Sequence, residues 1–217
     1  KTIWSKYKFV LLVILAGIVL LASKKKGKSY GYDDLNFLES VSSIASIAVR
    51  NSRLYEKACM EARTDELTGL LNRKYFYELL NQQYEKKPNK ELALIIINID
   101  DFKLYNQLYG MKEGDAALQN AAKIISATVG ERGYVARYSG KEFAAALPDF
   151  DVLAARNIAE SIRMQILNMN KRATDYALKV LTVSCGICTI PYSASNIKQL
   201  VENADMAVFS VKRKGKN

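Results

Sequence analysis

The stretch YVARYSGKEFAAALP, residues 134–148, decides how the larger part of this chain folds. Two apolar runs, YVAR and FAAALP, flank a short polar segment containing Gly140. A glycine-bearing polar turn between strand-like runs predicts a β-hairpin. The tip of that hairpin carries Lys141, and the chemistry open to the domain turns on this residue.

Outward from the hairpin, helix and strand patterns alternate. Upstream, ELALIIINID (residues 91–100) predicts a buried strand, DDFKLYNQLYG a short helix and EGDAALQNAAKIISATV a longer one. A helix is expected over 74–84, behind the polar turn ARTDELTGLLNR. Downstream, the patterns predict a helix near 151–169, a strand near 178–189 and a last helix near 196–214. Helices mixed with an antiparallel hairpin imply an α+β domain with helices packed on a central sheet.

The chain opens differently. FVLLVILAGIVLLA, residues 9–22, is an apolar run of 14 residues, whereas a membrane-spanning helix needs about 20. Its β-branched content and the Ala16-Gly17 break favour two adjacent core strands, and no small-residue cleavage site marks a signal peptide. A lysine-rich loop follows, then an expected N-cap region at Asp33 and Asp34 and a long helix. Leu35, Leu38, Val41, Ile44, Ile47 and Leu54 recur along it at spacings of three, four or their sums, as in a helix paired with a partner helix. The expected division is residues 1–32, a linking helix over 33–63, and a domain over 64–217. No initiator methionine is present, so the chain is expected to be part of a longer protein.

Composition narrows the chemistry. The formal net charge is +10, from 32 Lys and Arg against 22 Asp and Glu, which favours anionic partners. Much of the excess is local, in KKKGK (24–28) and KRKGK (212–216), so nucleic acid is not the expected partner. The absence of histidine excludes a Ser-His-Asp relay and a histidine-ligated zinc. Cys185 and Cys188 spell CxxC, but LTVSCGICTI alternates like a strand, which puts the two thiols on opposite faces rather than in a redox pair.

Four segments then resemble the GGDEF domain of diguanylate cyclases. DELTGLLNRKYF (65–76) resembles "DxLTGLxNRRxF", NIDDFKLYNQLYGMKEGD (98–115) resembles "DIDxFKxxNDxxGHxxGD", and VARYSGKEFAAALP resembles "xxRYGGDEFxxxLP". TVSCGI and ADMAVFSVKRKGKN complete the pattern over about 150 residues. Upstream, AVRNSRLYE (48–56) resembles the exit helix of a GAF sensor domain, of which only about 60 residues are present.

The resemblance implies a palm-like sheet and a reaction that joins two GTP molecules into cyclic di-GMP across a dimer. That chemistry deprotonates a ribose hydroxyl and stabilises an α-phosphate, normally through divalent cations held by carboxylates. The family's two metal-holding acids correspond here to Asn98 and Lys141, a swing of +3 in charge, so no catalytic set is intact in the signature Ser139, Gly140, Lys141, Glu142 and Phe143. Asp100 and Glu142 remain as residual metal candidates. The guanine-reading pair carries over as Asn106 and Asp115, although Gln107 and Met111 replace the family's Asp and His. Lys103, Lys212 and Lys216 correspond to phosphate-contacting residues, Gly140 leaves space near the phosphates, and Lys141 stands either as a further phosphate ligand or as a solvated turn residue. The family's RxxD product-inhibition site falls on Gly130 and Gly133.

The expectation is a degenerate signalling module, not an enzyme, requiring no cofactor and magnesium only if activity persists. It would bind guanine nucleotide, pair as a homodimer or with a related protein, lack a membrane segment and work in the cytoplasm. An active cyclase and a protein-interaction scaffold without nucleotide are the competing readings.

Overall fold

Among the described residues, five strands form one sheet in the computed structural model: β1 (Leu71–Asn72), β2 (Leu92–Ile99), β3 (Tyr134–Ser139), β4 (Glu142–Pro148) and β5 (Val183–Ile190). The order is β1-β3-β4-β2-β5, with β1 parallel to β3 and the other neighbours antiparallel. Residues 17, 31–87, 90–169 and 180–215 are described. The chain divides into two compact units, Lys1–Ala62 and Arg63–Asn217. The two strands expected over residues 9–22 lie outside the described residues, except that Gly17 has a helical backbone.

β2 is central and all eight of its residues are buried, as its unbroken apolar run requires. Ala93, Ile95, Ile97 and Ile99 enter one hydrophobic cluster; Leu92, Leu94 and Ile96 enter the other. Each Ile or Leu so placed contributes about 1.5–3 kcal/mol relative to exposure. Asn98 and Asp100 continue the second set of alternate positions as the strand runs out towards its polar end.

Six helices are described: α1 (Tyr32–Glu61), α2 (Arg73–Lys86), α3 (Phe102–Tyr109), α4 (Met111–Val129), α5 (Val152–Asn168) and α6 (Ile197–Arg213). Residues of α3, α4 and α5 fill the first cluster, and those of α2 and α6 fill the second, giving one helical layer on each face of the sheet. Side chains fix several starts: Asn72 accepts from Tyr75 N at 2.9 Å, Asp151 from Ala154 N at 2.7 Å and Asn196 from Gln199 N at 2.9 Å. Gly186 lets α6 lie directly on β5, because a Cβ there would come within 2.2 Å of the Ala204 carbonyl oxygen.

Several sequence expectations are corrected in detail. The N-cap of α1 is Gly31, not Asp33 or Asp34; Asp34 instead accepts from the Gly31 N–H at 2.8 Å, and both acids lie in the first turn. Along α1, Leu38 and Val41 are half-buried while Leu35, Ile44, Ile47 and Leu54 are exposed. α6 ends at Arg213, so it does not carry Lys212 and Lys216 on one face, and Lys216 lies outside the described residues.

The cysteine reading holds. Cys185 packs against the first cluster and Cys188 belongs to the second, on opposite faces of the sheet. Burial, with Asp100 nearby, pushes the Cys185 thiol up to about 12, far from the thiolate that redox exchange needs. No helix among the described residues is long and apolar enough to cross a membrane.

Candidate nucleotide site

The polar end of β2 meets the hairpin tip and the last turn of α6. Strand register sets Asn98 opposite Glu142 on one side and Ser184 on the other. The hairpin forms as expected, with Gly140 and Lys141 between β3 and β4 and Ser139 opposite Glu142. The Lys141 carbonyl accepts from Ile99 N at 3.0 Å, which ties the turn to the end of β2.

A closed polar network occupies this junction. Asn98 Nδ2 donates to Glu142 Oε1 at 2.5 Å, and Ser139 Oγ donates to Glu142 Oε2 at 2.6 Å. Lys212 Nζ donates to Asn98 Oδ1 at 2.6 Å and lies 3.9 Å from Asp100 Oδ1. Asp100 is buried and accepts from Ser184 Oγ and Thr182 Oγ1, each at 2.8 Å. The Asn98 amide has one sensible orientation here: a flip would turn its NH₂ towards an ammonium and its oxygen towards a carboxylate.

Two adjoining cavities open beside the network. One, of about 520 Å³, has Asn106, Asp115, Phe102 and Arg137 among its walls; the other, of about 480 Å³, is lined by Asp101, Lys103, Leu104, Gln107, Lys141 and Lys212. Lys103, Gln107 and Lys141 border both. The structure therefore brings together Lys103, Asn106, Asp115, Gly140, Lys141 and Lys212, residues up to 109 positions apart (212 − 103). Asn106 Oδ1 is buried with no hydrogen-bond partner among the described residues, an acceptor turned in beside the first cavity. Its place depends on Gly114, where a Cβ would stand 1.9 Å from that oxygen.

Arg137 is a wall residue to which the sequence reading assigned no role. Its Nη1 reaches both Asp65 carboxylate oxygens at 3.2 Å, and its Nη2 donates to the Gly140 carbonyl at 2.9 Å. Asp65 also accepts from Thr68 N and Oγ1. Burial pushes the Asp65 carboxyl up, but the Thr68 hydrogen bonds and Arg137 outweigh it and hold the group below its ordinary value. One guanidinium thus fastens the DELTG turn to the hairpin tip. The arginine that precedes Tyr138, shared with the quoted pattern, was the available signal. Behind the hairpin, Tyr138 shares a 2.6 Å hydroxyl contact with Tyr77 under the Arg73 guanidinium, and burial together with Glu142 raises the Asp205 carboxyl.

The family described as "Diguanylate cyclase, GGDEF domain" matches residues 62–217. The chain belongs to the GGDEF family. It is 33% identical over 207 residues to diguanylate cyclase A of Treponema denticola, covering 91% of this chain and 54% of that protein. It is 31% identical over 167 residues to diguanylate cyclase DgcM of Escherichia coli K12, covering 76% of this chain and 40% of that one. Among solved structures, the coiled coil and GGDEF domain of Caulobacter crescentus DgcB in complex with c-di-GMP aligns at a TM-score of 0.73 with 28% identity, covering 82% of this chain and 96% of that one. The chain spans between about a third and a half of the length of the curated relatives it matches.

GGDEF cyclases normally use magnesium, and the donors that could hold that ion here are those at the strand–hairpin junction. They do not fit. Mg²⁺ needs several hard oxygens in octahedral geometry. Both Glu142 oxygens accept from neighbouring side chains, both Asp100 oxygens accept hydroxyl bonds, and the Asn98 oxygen faces an ammonium. Among the described residues, no group of three or more Asp, Glu, Cys or His gathers as a metal site. The RxxD positions are equally altered: Gly130 and Gly133 lack side chains, and Arg132 turns back onto the Thr128 and Val129 carbonyls at the end of α4.

Proposed function

We propose that this chain is a degenerate GGDEF module that binds a guanine nucleotide without converting it to cyclic di-GMP. The carrying observation is the closed network of Ser139, Glu142, Asn98 and Lys212, in which each group that could face a metal already has a protein partner. In this reading Asn106 and Asp115 read the guanine edge, with the carboxylate accepting from N1–H and N2–H. Lys103, Lys141, Lys212 and Lys216 face the phosphate chain as point charges, and Gly140 leaves the approach open. Phe143 anchors the hairpin from the buried side of β4. The module would act in cyclic di-GMP signalling as a regulatory or dimerisation element in the cytoplasm, with α1 linking it to a GAF-type sensor segment upstream. It would pair as a homodimer or with a related signalling protein.

The names of the relatives favour one competing reading, an active cyclase. Incubating the protein with GTP and Mg²⁺ or Mn²⁺, then separating products by chromatography, distinguishes the two. No cyclic di-GMP is expected; its formation would overturn the proposal. In parallel, equilibrium titration should show GTP bound more tightly than ATP, with about a tenfold loss in Asp115→Ala, the usual scale for a lost charge-assisted hydrogen bond. Equal, background-level retention of both nucleotides would instead identify a scaffold.

A further inference from the structure

The second cavity has three ammonium groups on its walls, from Lys103, Lys141 and Lys212, against the single Asp101 carboxylate. A nucleoside triphosphate free of metal carries roughly four negative charges at neutral pH, and its magnesium complex roughly two. Three lysines against Asp101, with Asp100 3.9 Å from Lys212, leave this border net positive, which favours the free polyanion over the neutralised one. The neighbouring carboxylates sharpen the preference. Glu142 and Asp100 already accept hydrogen bonds from Asn98, Ser139, Thr182 and Ser184, so an arriving Mg²⁺ would have to displace these donors and would sit beside ammonium groups. Lys212 is fixed at this border by Asn98 at 2.6 Å, with its Nζ 3.9 Å from Asp100.

We infer that the Lys141 ammonium, together with Lys103 and with Lys212 held by Asn98, supplies the positive charge that a divalent ion would otherwise supply. The ligand of this site is then the metal-free nucleoside triphosphate, and magnesium competes with the protein for it. This rests on the nucleotide-binding reading above and adds the ionic form of the ligand. Asn98 is a positioning residue: its amide donates to Glu142 while accepting from Lys212. A carboxylate at position 98 would face Glu142 as a like charge, and a second one at position 141 would replace an ammonium beside it.

The test is calorimetric titration of the full chain with GTP at constant ionic strength, first with chelator and then with magnesium raised to several millimolar. The wild-type protein should bind best in chelator and lose about tenfold in apparent affinity as GTP becomes complexed. The double variant Asn98→Asp/Lys141→Asp should reverse the sign, binding more tightly as magnesium rises. Wild-type affinity that rises with magnesium, or does not change, would overturn the inference while leaving guanine nucleotide binding intact. A folded double variant that keeps the wild-type sign would also overturn it. Failure to bind GTP under every condition would remove the nucleotide reading itself. The wild-type measurement decides the sign even where the double variant does not fold.

Discussion

At the scale of single residues, Gly114 shows how a missing side chain shapes a site. It lies in α4, where glycine costs about 1 kcal/mol relative to alanine, yet a Cβ there would meet Asn106 Oδ1 at 1.9 Å and Asn106 Cγ at 2.9 Å. The obstacle is a side chain rather than backbone, so Gly114→Ala should push Asn106 aside instead of breaking the helix. The gain in helix propensity and the cost of the displacement then oppose each other, and the melting temperature should move by only a few degrees. Guanine nucleotide affinity should fall about tenfold, read by the same titration in chelator. A variant that binds GTP as well as wild type would separate Asn106 from the guanine edge.

At the scale of elements, the hairpin tip is held in place by Arg137, which spans from Asp65 on one side to the Gly140 carbonyl on the other. The Asp65 carboxyl lies below its ordinary 3.8 in the folded protein. The unfolded chain therefore binds more protons between the two values, and the contribution of Asp65 is fully present above about 3.8. It is lost as pH falls through the lower, folded value. Asp65→Asn should cost about 1 kcal/mol at neutral pH, the scale of a partly exposed ion pair, and the gap from wild type should narrow as pH falls below 3.8. Urea unfolding at neutral pH and across the acid range measures this; a gap that does not narrow in acid would mean that Arg137 holds the turn without using the charge. Much of this level was legible beforehand. The Gly140 turn, the Asp151 start of α5 and the buried run of β2 each follow from local chemistry that a short stretch carries in full. The network at the junction was not legible, because Lys212 and Asn98 are 114 positions apart and no local pattern announces their meeting.

At the scale of the whole molecule, the sequence reading recovered the α+β layering and named Lys103, Asn106, Asp115, Gly140, Lys141 and Lys212 among the residues lining the two cavities, but not Arg137. α1 runs 30 residues, about 45 Å at 1.5 Å per residue, and none of its residues is buried. Phe37, Ile44, Ile47 and Leu54 stay exposed at spacings of seven, three and seven, a heptad seam interrupted by Ser40 and Asn51. An apolar seam with a single asparagine favours a two-stranded partner of defined register, which fits the dimerisation role proposed for the module. The full chain should therefore sediment as a dimer at micromolar concentration, and Ile44→Glu with Leu54→Glu should shift it to monomer. Both substitutions lie outside the unit Arg63–Asn217, so GTP affinity per chain in chelator should stay within about twofold of wild type. A monomeric variant that also loses GTP would show that the nucleotide site needs the second copy, and a variant that remains dimeric would move the contact away from this seam.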